Sequence, residues 1–361
     1  MNKGLSIWLD VIRVAATLIV VISHWAYPRF TEGRYGVVRD WNLGSDAVII
    51  FFVISGCVIA YAAGRDKSPL LFAFNRLTRL WTVLIPALVL TWVFDNVGVR
   101  IDETAYPTGF YVPHPVGEFF SRGISFSNQW TSLGRLRLGT NGPLWSLSYE
   151  AAYYSLFGIA IFTSGVLRLI LLATAALIFG VNALLLMPAW LMGVVLWNRV
   201  KDGHAEQMSK KTAIVAAIGA PLAYVACHIL HVPEILLAIT ANALGVADAR
   251  SVVGFSDEAI WNAIIGLLTM IHVLGMARLL KTDFAGAKII RWCAGASFSI
   301  YVTHYPALHL LDAILGDIAG RDALLLVGAI VVGFAFASVF ERPIRWFRHA
   351  LWPRQSASSP G

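Results

Sequence analysis

Apolar stretches of membrane-crossing length recur along the whole chain, near residues 6–27, 44–64, 75–97, 141–163, 211–231, 255–281, 290–316 and 322–346. A helix needs about 20 residues to span a bilayer, and 166–198 is long enough for two short spans broken near Met187-Pro188. This pattern predicts an all-α, polytopic integral membrane bundle of about ten transmembrane helices. Composition agrees: 58% of the 361 residues are hydrophobic and 14% are charged, where soluble domains carry roughly 25% charged residues. Arg13 inside the first run, its length and the lack of a small-residue cleavage site mark that run as a retained span rather than a signal peptide.

The formal net charge is +7. Nucleic acid is an unsuitable partner, because the basic residues are scattered through short segments between apolar runs instead of forming one face. They read instead as topology. With the N-terminus inside, 18 of the 28 basic residues fall on the cytoplasmic side, nine outside, and Arg13 within a span. The positive-inside rule therefore places both termini in the cytoplasm, as expected of a multi-pass protein of the inner (plasma) membrane. Residues 1–350 read as one membrane domain, and residues 351–361, including "PRQSASSPG", as a short disordered cytoplasmic tail. The longest connection, about 98–140, faces outward and is long enough to cover a site. Cys57, Cys227 and Cys293 lack metal-like or disulfide-like spacing, so no metal is expected.

The candidate chemistry lies in polar residues set within apolar helices, where a charge is functional by default. In "LDVIRVAATLIVVISHW", Arg13 and His24 share nearly one helix face about 16 Å apart, both directed into the bundle. In "NGPLWSLSYEAAYY", Pro143 suits a first helical turn and puts Glu150 about two turns into the span. Glu150 and His24 then reach comparable depth, and a couple between them would tune the imidazole for general-base work. Glu150 paired with Arg13, holding helices together, is the alternative.

"FSIYVTHYPALHLL" sets His304 in mid-span, followed by Pro306, which frees a backbone carbonyl. His228 and His231 sit at a span end and read as interfacial. Arg76 and Arg79, one turn apart in "NRLTRLWTVLIPA", either obey the positive-inside rule or clamp a phosphate-bearing ligand. Glu341, Arg342 and Arg345 in "ERPIRWFR" read as helix termination and interfacial anchoring. Finally, "FFVISGCVIA" holds the pair Ser55-Gly56, whose small side chains permit close backbone approach.

In their order, "LDVIRVAATLIVVISHW", "FFVISGCVI", "RLTRLWTVLIP", "PLWSLSYE", "SIYVTHYP" and "ERPIRW" resemble the membrane acyltransferase 3 family, which O-acylates cell-surface and exported sugars. Cys57 stands where an aromatic residue is more usual, and Ala151 where a second acidic residue is common. The resemblance implies acyl transfer from acyl-CoA, acetyl-CoA by default, to a saccharide hydroxyl. It places Arg13, His24 and Glu150 at the catalytic positions; in the mechanism that follows, the donor's phosphates dock on Arg76 and Arg79, with Ser55, Trp145, Ser148 and His304 as further donor-side candidates. Membrane lipids are further partners, and homo-oligomerisation is left open. A secondary transporter or flippase of a lipid-linked sugar uses similar buried charges and is the rival reading, although no inverted repeat is evident.

Overall fold

The computed structural model describes residues 1–108 and 110–343; Arg345, Arg348 and the 351–361 tail lie outside the described residues. Among these, the chain is all-α, with no strand. Ten helices have 15 or more residues: α1 (Lys3–Trp25), α2 (Leu43–Ala63), α3 (Pro69–Ile101), α4 (Trp145–Phe162), α5 (Gly165–Phe179), α6 (Val181–Lys201), α7 (Lys210–Ile229), α8 (Ala259–Leu279), α9 (Ser297–Leu315) and α10 (Arg321–Phe340). They coincide with the apolar stretches of the sequence. Seven of them (α1, α2, α3, α6, α7, α8 and α10) are long and apolar enough to cross a membrane by length and composition. The shorter or more polar α4, α5 and α9 fall short of that measure, so a count of ten spans exceeds what the helices themselves support.

The break expected near Met187-Pro188 lies instead at Gly180. There a φ of 85° ends α5 and starts α6, while Pro188 stays inside α6. Glycine enters that region without the cost a side chain would meet. The stretch 290–316 is also interrupted: an eight-residue helix, Ala287–Ala294, ends at Gly295 before α9 begins.

The bundle packs α2 against α6, α7 against α8, and α9 against both α3 and α10. Close approach explains half of the Ser55-Gly56 pair. A Cβ on Gly56 would collide with the Trp190 carbonyl, and one on Gly193 with that of Val53, so α2 and α6 meet backbone to backbone. Ser55, one residue on, turns to the interior.

The expected carbonyl release at Pro306 is visible. Pro306 has no N–H for Val302 O, and Asn141 Nδ2 donates to that oxygen at 2.8 Å and to Thr91 Oγ1 at 2.9 Å. One asparagine thus pins the start of α4 to α9 and α3. Beside it, Asp95 accepts from Thr140 N (2.9 Å) and Thr140 Oγ1 (2.6 Å). At the start of α9, Glu341 Oε2 accepts from Ser299 N at 2.8 Å. A carboxylate borrowed from the end of α10 therefore caps the helix that carries His304, where free N–H groups favour negative charge. The Arg342 guanidinium lies 4.4 Å from the Trp292 ring centroid, in keeping with an anchoring role.

Candidate active site

Two polar sites lie along α1, one around Arg13 and one around His24. The first is a cavity of about 90 Å³ lined by Arg13 of α1, Ser55 of α2, Arg79 of α3, Ser146, Glu150 and Tyr154 of α4, and Ser297 and Tyr301 of α9, with apolar walls such as Phe51, Phe52 and Leu80. Arg13 pairs with Asp10 at 3.0 Å, a partner three residues back that the sequence reading passed over. Ser55 Oγ donates to Glu150 Oε1 at 2.6 Å; Tyr154 OH donates to the same oxygen, and Trp190 Nε1 donates to Ser55 Oγ at 3.3 Å. Glu150 thus holds the Ser55 and Tyr154 hydroxyls in the wall. Arg79, half-buried, makes no ion pair among the described residues.

The second site lies toward the C-terminal end of α1. His304 Nε2 is 3.2 Å from His24 Nδ1, and His24 Nδ1 is 2.9 Å from Val20 O. His304 Nδ1 meets Tyr301 O at 2.8 Å and Ile300 O at 3.2 Å. A carbonyl only accepts, so each ring carries its proton on Nδ1. His24 Nδ1–H is then shared between Val20 O and the lone pair of His304 Nε2. His24 Nε2 is left with its lone pair and no hydrogen bond among the described residues. His304 is buried, and Tyr305 stands 4.6 Å from the His24 ring.

The two sites meet at Tyr301. Its hydroxyl donates to Pro143 O at 2.9 Å and is 2.7 Å from Ser146 Oγ, while its ring lines the cavity and lies 6.1 Å from that of His304. One turn of α9 separates the two.

Several expected pairings are corrected by this geometry. Glu150 does not couple to His24. Five residues into α4, about 7.5 Å from its start, it has reached the level of Ser55, and His304 takes the place against His24. Nor does Glu150 hydrogen-bond Arg13, although both line the cavity. Arg76 and Arg79 do not form a clamp. Although residues three apart are neighbours on a helix surface, Arg76 is buried against Asp66 at 2.7 Å and lines a separate, largely apolar cavity of about 430 Å³ between α3 and α4.

Trp145 and Ser148 are not part of the site either. Trp145 stacks on Phe255 at 4.5 Å, and Ser148 donates to Phe126 O; both fasten α4 to neighbouring loops. Of the remaining donor-side residues, Ser55 and Arg79 face the first cavity and His304 joins the second site. His228 is not interfacial: buried, it sits 3.2 Å from Asp46, which also accepts from Tyr224 OH at 2.6 Å and Trp261 Nε1 at 3.2 Å. The sequence reading missed Ser146, Tyr154 and Tyr301, hydroxyls that look like ordinary helix residues until a neighbouring helix faces them.

The long connection does cover a site. Phe110 packs edge-on to Tyr305 at 5.7 Å, and Ala105 O meets His309 Nδ1 at 3.2 Å, so the loop closes over the His24 end of the bundle.

An O-acetyl transferase of Shigella phage Sf6 is 28% identical over 152 residues, 42% of this chain and 45% of that protein. The acyltransferase MdmB of Streptomyces mycarofaciens is 27% identical over 150 residues, 40% of this chain and 36% of that protein. The matched region therefore spans less than half the length of either relative. No solved structure matches the chain. The acyltransferase domain family matches residues 6–342, and the chain belongs to that family.

Proposed function

We propose that the protein is a membrane O-acyltransferase that moves an acyl group, acetyl by default, from acyl-CoA to a hydroxyl of a cell-surface or exported saccharide. The observation that carries this reading is the placement on one helix of a cationic cavity at Arg13 and a histidine with a free ring nitrogen at His24, joined through Tyr301. In this reading both termini are cytoplasmic, the cavity opens inward and the loop-covered end faces the acceptor.

The donor's phosphates approach Arg79, which makes no ion pair among the described residues and whose fork suits phosphate oxygens. Arg76 is excluded from that role by Asp66. The thioester arm passes Ser55, Glu150 and Tyr301 toward His24. His24 Nε2 then takes the proton of the acceptor hydroxyl as its oxygen bonds to the thioester carbonyl carbon. When the tetrahedral intermediate collapses, the carbon–sulfur bond breaks and His24 returns the proton to the departing thiolate. His304 holds the ring through its lone pair and supports the transient imidazolium. Arg13 supplies positive charge along the arm's path, and the Ser55, Tyr154 and Tyr301 hydroxyls, whose protons go to Glu150 and to Pro143 O, line it as acceptors.

The test is free-thiol release from acetyl-CoA by purified wild type and His24→Ala, each with an envelope-glycan extract. Acceptor-dependent release by wild type alone is expected. Equal release by both proteins, or no binding of acetyl-CoA to wild type, would overturn the proposal.

A further inference from the structure

Arginines crowd the end of the bundle that holds His24, and two sets of three among them differ in how their charge is met. Arg34 pairs with Asp322 at 3.1 Å, Arg250 with Asp257 at 3.5 Å, and Arg321 with Asp312. Arg29, Arg39 and Arg137 pair with no carboxylate among the described residues. They rest instead on aromatic rings: Arg39 at 3.9 Å from the Tyr27 centroid, and Arg29 and Arg137 at 3.7 and 4.2 Å from that of Phe110. Tyr27 and Tyr305 in turn stand 6.0 and 4.6 Å from the His24 ring. All three charges act on Tyr305, and those of Arg39 and Arg137 also reach His24.

Three like charges in one place repel, and stacking on aromatic faces offsets only part of that cost. Their hydrogen-bonding capacity is also largely unspent. Arg39 Nη1 donates to Ser23 Oγ at 3.0 Å and Arg137 Nη1 to Phe110 O at 3.3 Å, while Arg29 Nη1 is buried with no partner among the described residues. An arriving anion would answer both the repulsion and the idle donors.

We infer that Arg29, Arg39 and Arg137 form the acceptor subsite and that it recognises an anionic saccharide, one carrying a carboxylate or a phosphate beside the hydroxyl to be acylated. The inference rests on the acyltransferase reading and adds the acceptor's charge to it. Tyr27, Tyr305 and Phe110 supply flat faces for the sugar ring, and the guanidiniums hold the anion while the hydroxyl is presented to His24 Nε2. The three paired arginines of the same end take no part, because their charge is already met.

Binding without donor tests this directly. Full-length protein in nanodiscs is titrated with a glucuronate-bearing oligosaccharide, its phosphorylated counterpart and its neutral glucose counterpart. The expected result is binding of at least one anionic probe about tenfold or more tighter than the neutral one, with a preference that shrinks as salt rises. The tighter of the two anionic probes identifies which anion the site was built for. In Arg39→Gln/Arg137→Gln the preference falls below about threefold, while Arg34→Gln keeps it. Equal binding of the neutral probe, no binding of either anionic probe, or a preference that survives the double variant would overturn the inference. Acetyl-CoA binding measured on the same samples reports folding of each variant. It also separates the two claims: intact donor binding without anion preference sinks only this one, and absent donor binding sinks the acyltransferase reading. Should the double variant fail to fold, Arg39→Gln alone and the salt series on wild type decide the matter.

Discussion

The two polar sites on α1 are built on opposite principles. Around Arg13 the charges are mixed: Asp10 pairs with Arg13, Glu150 gathers two hydroxyls, and Arg79 makes no ion pair among the described residues. Around His24 no carboxylate bonds the imidazole among the described residues, its partner is another histidine, and the nearby arginines lie on rings. The difference teaches that a single helix can carry two sites of opposite character. In the proposed function the mixed cavity takes the coenzyme's head and thin arm, and the aromatic, cationic end takes the sugar.

The sharpest break in that comparison is His24→Ala, which removes the base and is expected to lower acyl transfer by about 10²- to 10⁴-fold in a thiol-release assay, with little change in donor affinity. Next comes His304→Phe, which keeps a ring but loses the orienting lone pair. A fall of about 10- to 100-fold in kcat is expected, by analogy with the groups that orient metal-bound histidines, again with KM for the donor unchanged. At the other site, Arg79→Gln is expected to raise the donor KM by about tenfold.

Its neighbour separates recognition from packing. Arg76→Gln leaves Asp66 buried and unpaired, a loss of about 3–5 kcal/mol of stability, so a lowered Tm is expected with an unchanged donor KM in the protein that remains folded. The smallest effect belongs to Ser148→Ala, whose hydroxyl only ties α4 to Phe126 O. Its kcat and KM are expected to stay within about threefold of wild type, and a larger change in kinetics would move α4's N-terminal turn back into the site.

The helices are legible because bilayer-length apolar runs state their own extent, and so are several residues that carry buried charge, though not Asp10, Asp46 or Asp95. Arg13, His24, Glu150 and Arg79 all fall at one of the two sites. Pairing was less legible. Hydropathy gives depth along a helix but not rotation, so Glu150 was matched to His24 at similar depth when α4 turns it toward Ser55, and Arg76 was grouped with Arg79 although Asp66, ten residues away in sequence, claims it. His304 was singled out as an intramembrane polar residue, yet its role as the partner of His24 needed the packing of α9 on α1. Gly180 was overlooked for the opposite reason: Pro188 is the louder helix breaker in sequence, but α6 absorbs it, whereas the positive φ that separates α5 from α6 requires the glycine.

The division of labour along α1 is tested most directly by measuring acetyl-CoA affinity of His24→Ala and Arg79→Gln against wild type, in the absence of acceptor. The account predicts that His24→Ala binds the coenzyme within about threefold of wild type although it cannot turn it over, and that Arg79→Gln binds about tenfold more weakly. Loss of coenzyme binding in His24→Ala with full binding in Arg79→Gln would contradict it, because the donor's anchor would then lie at the histidine end of the bundle.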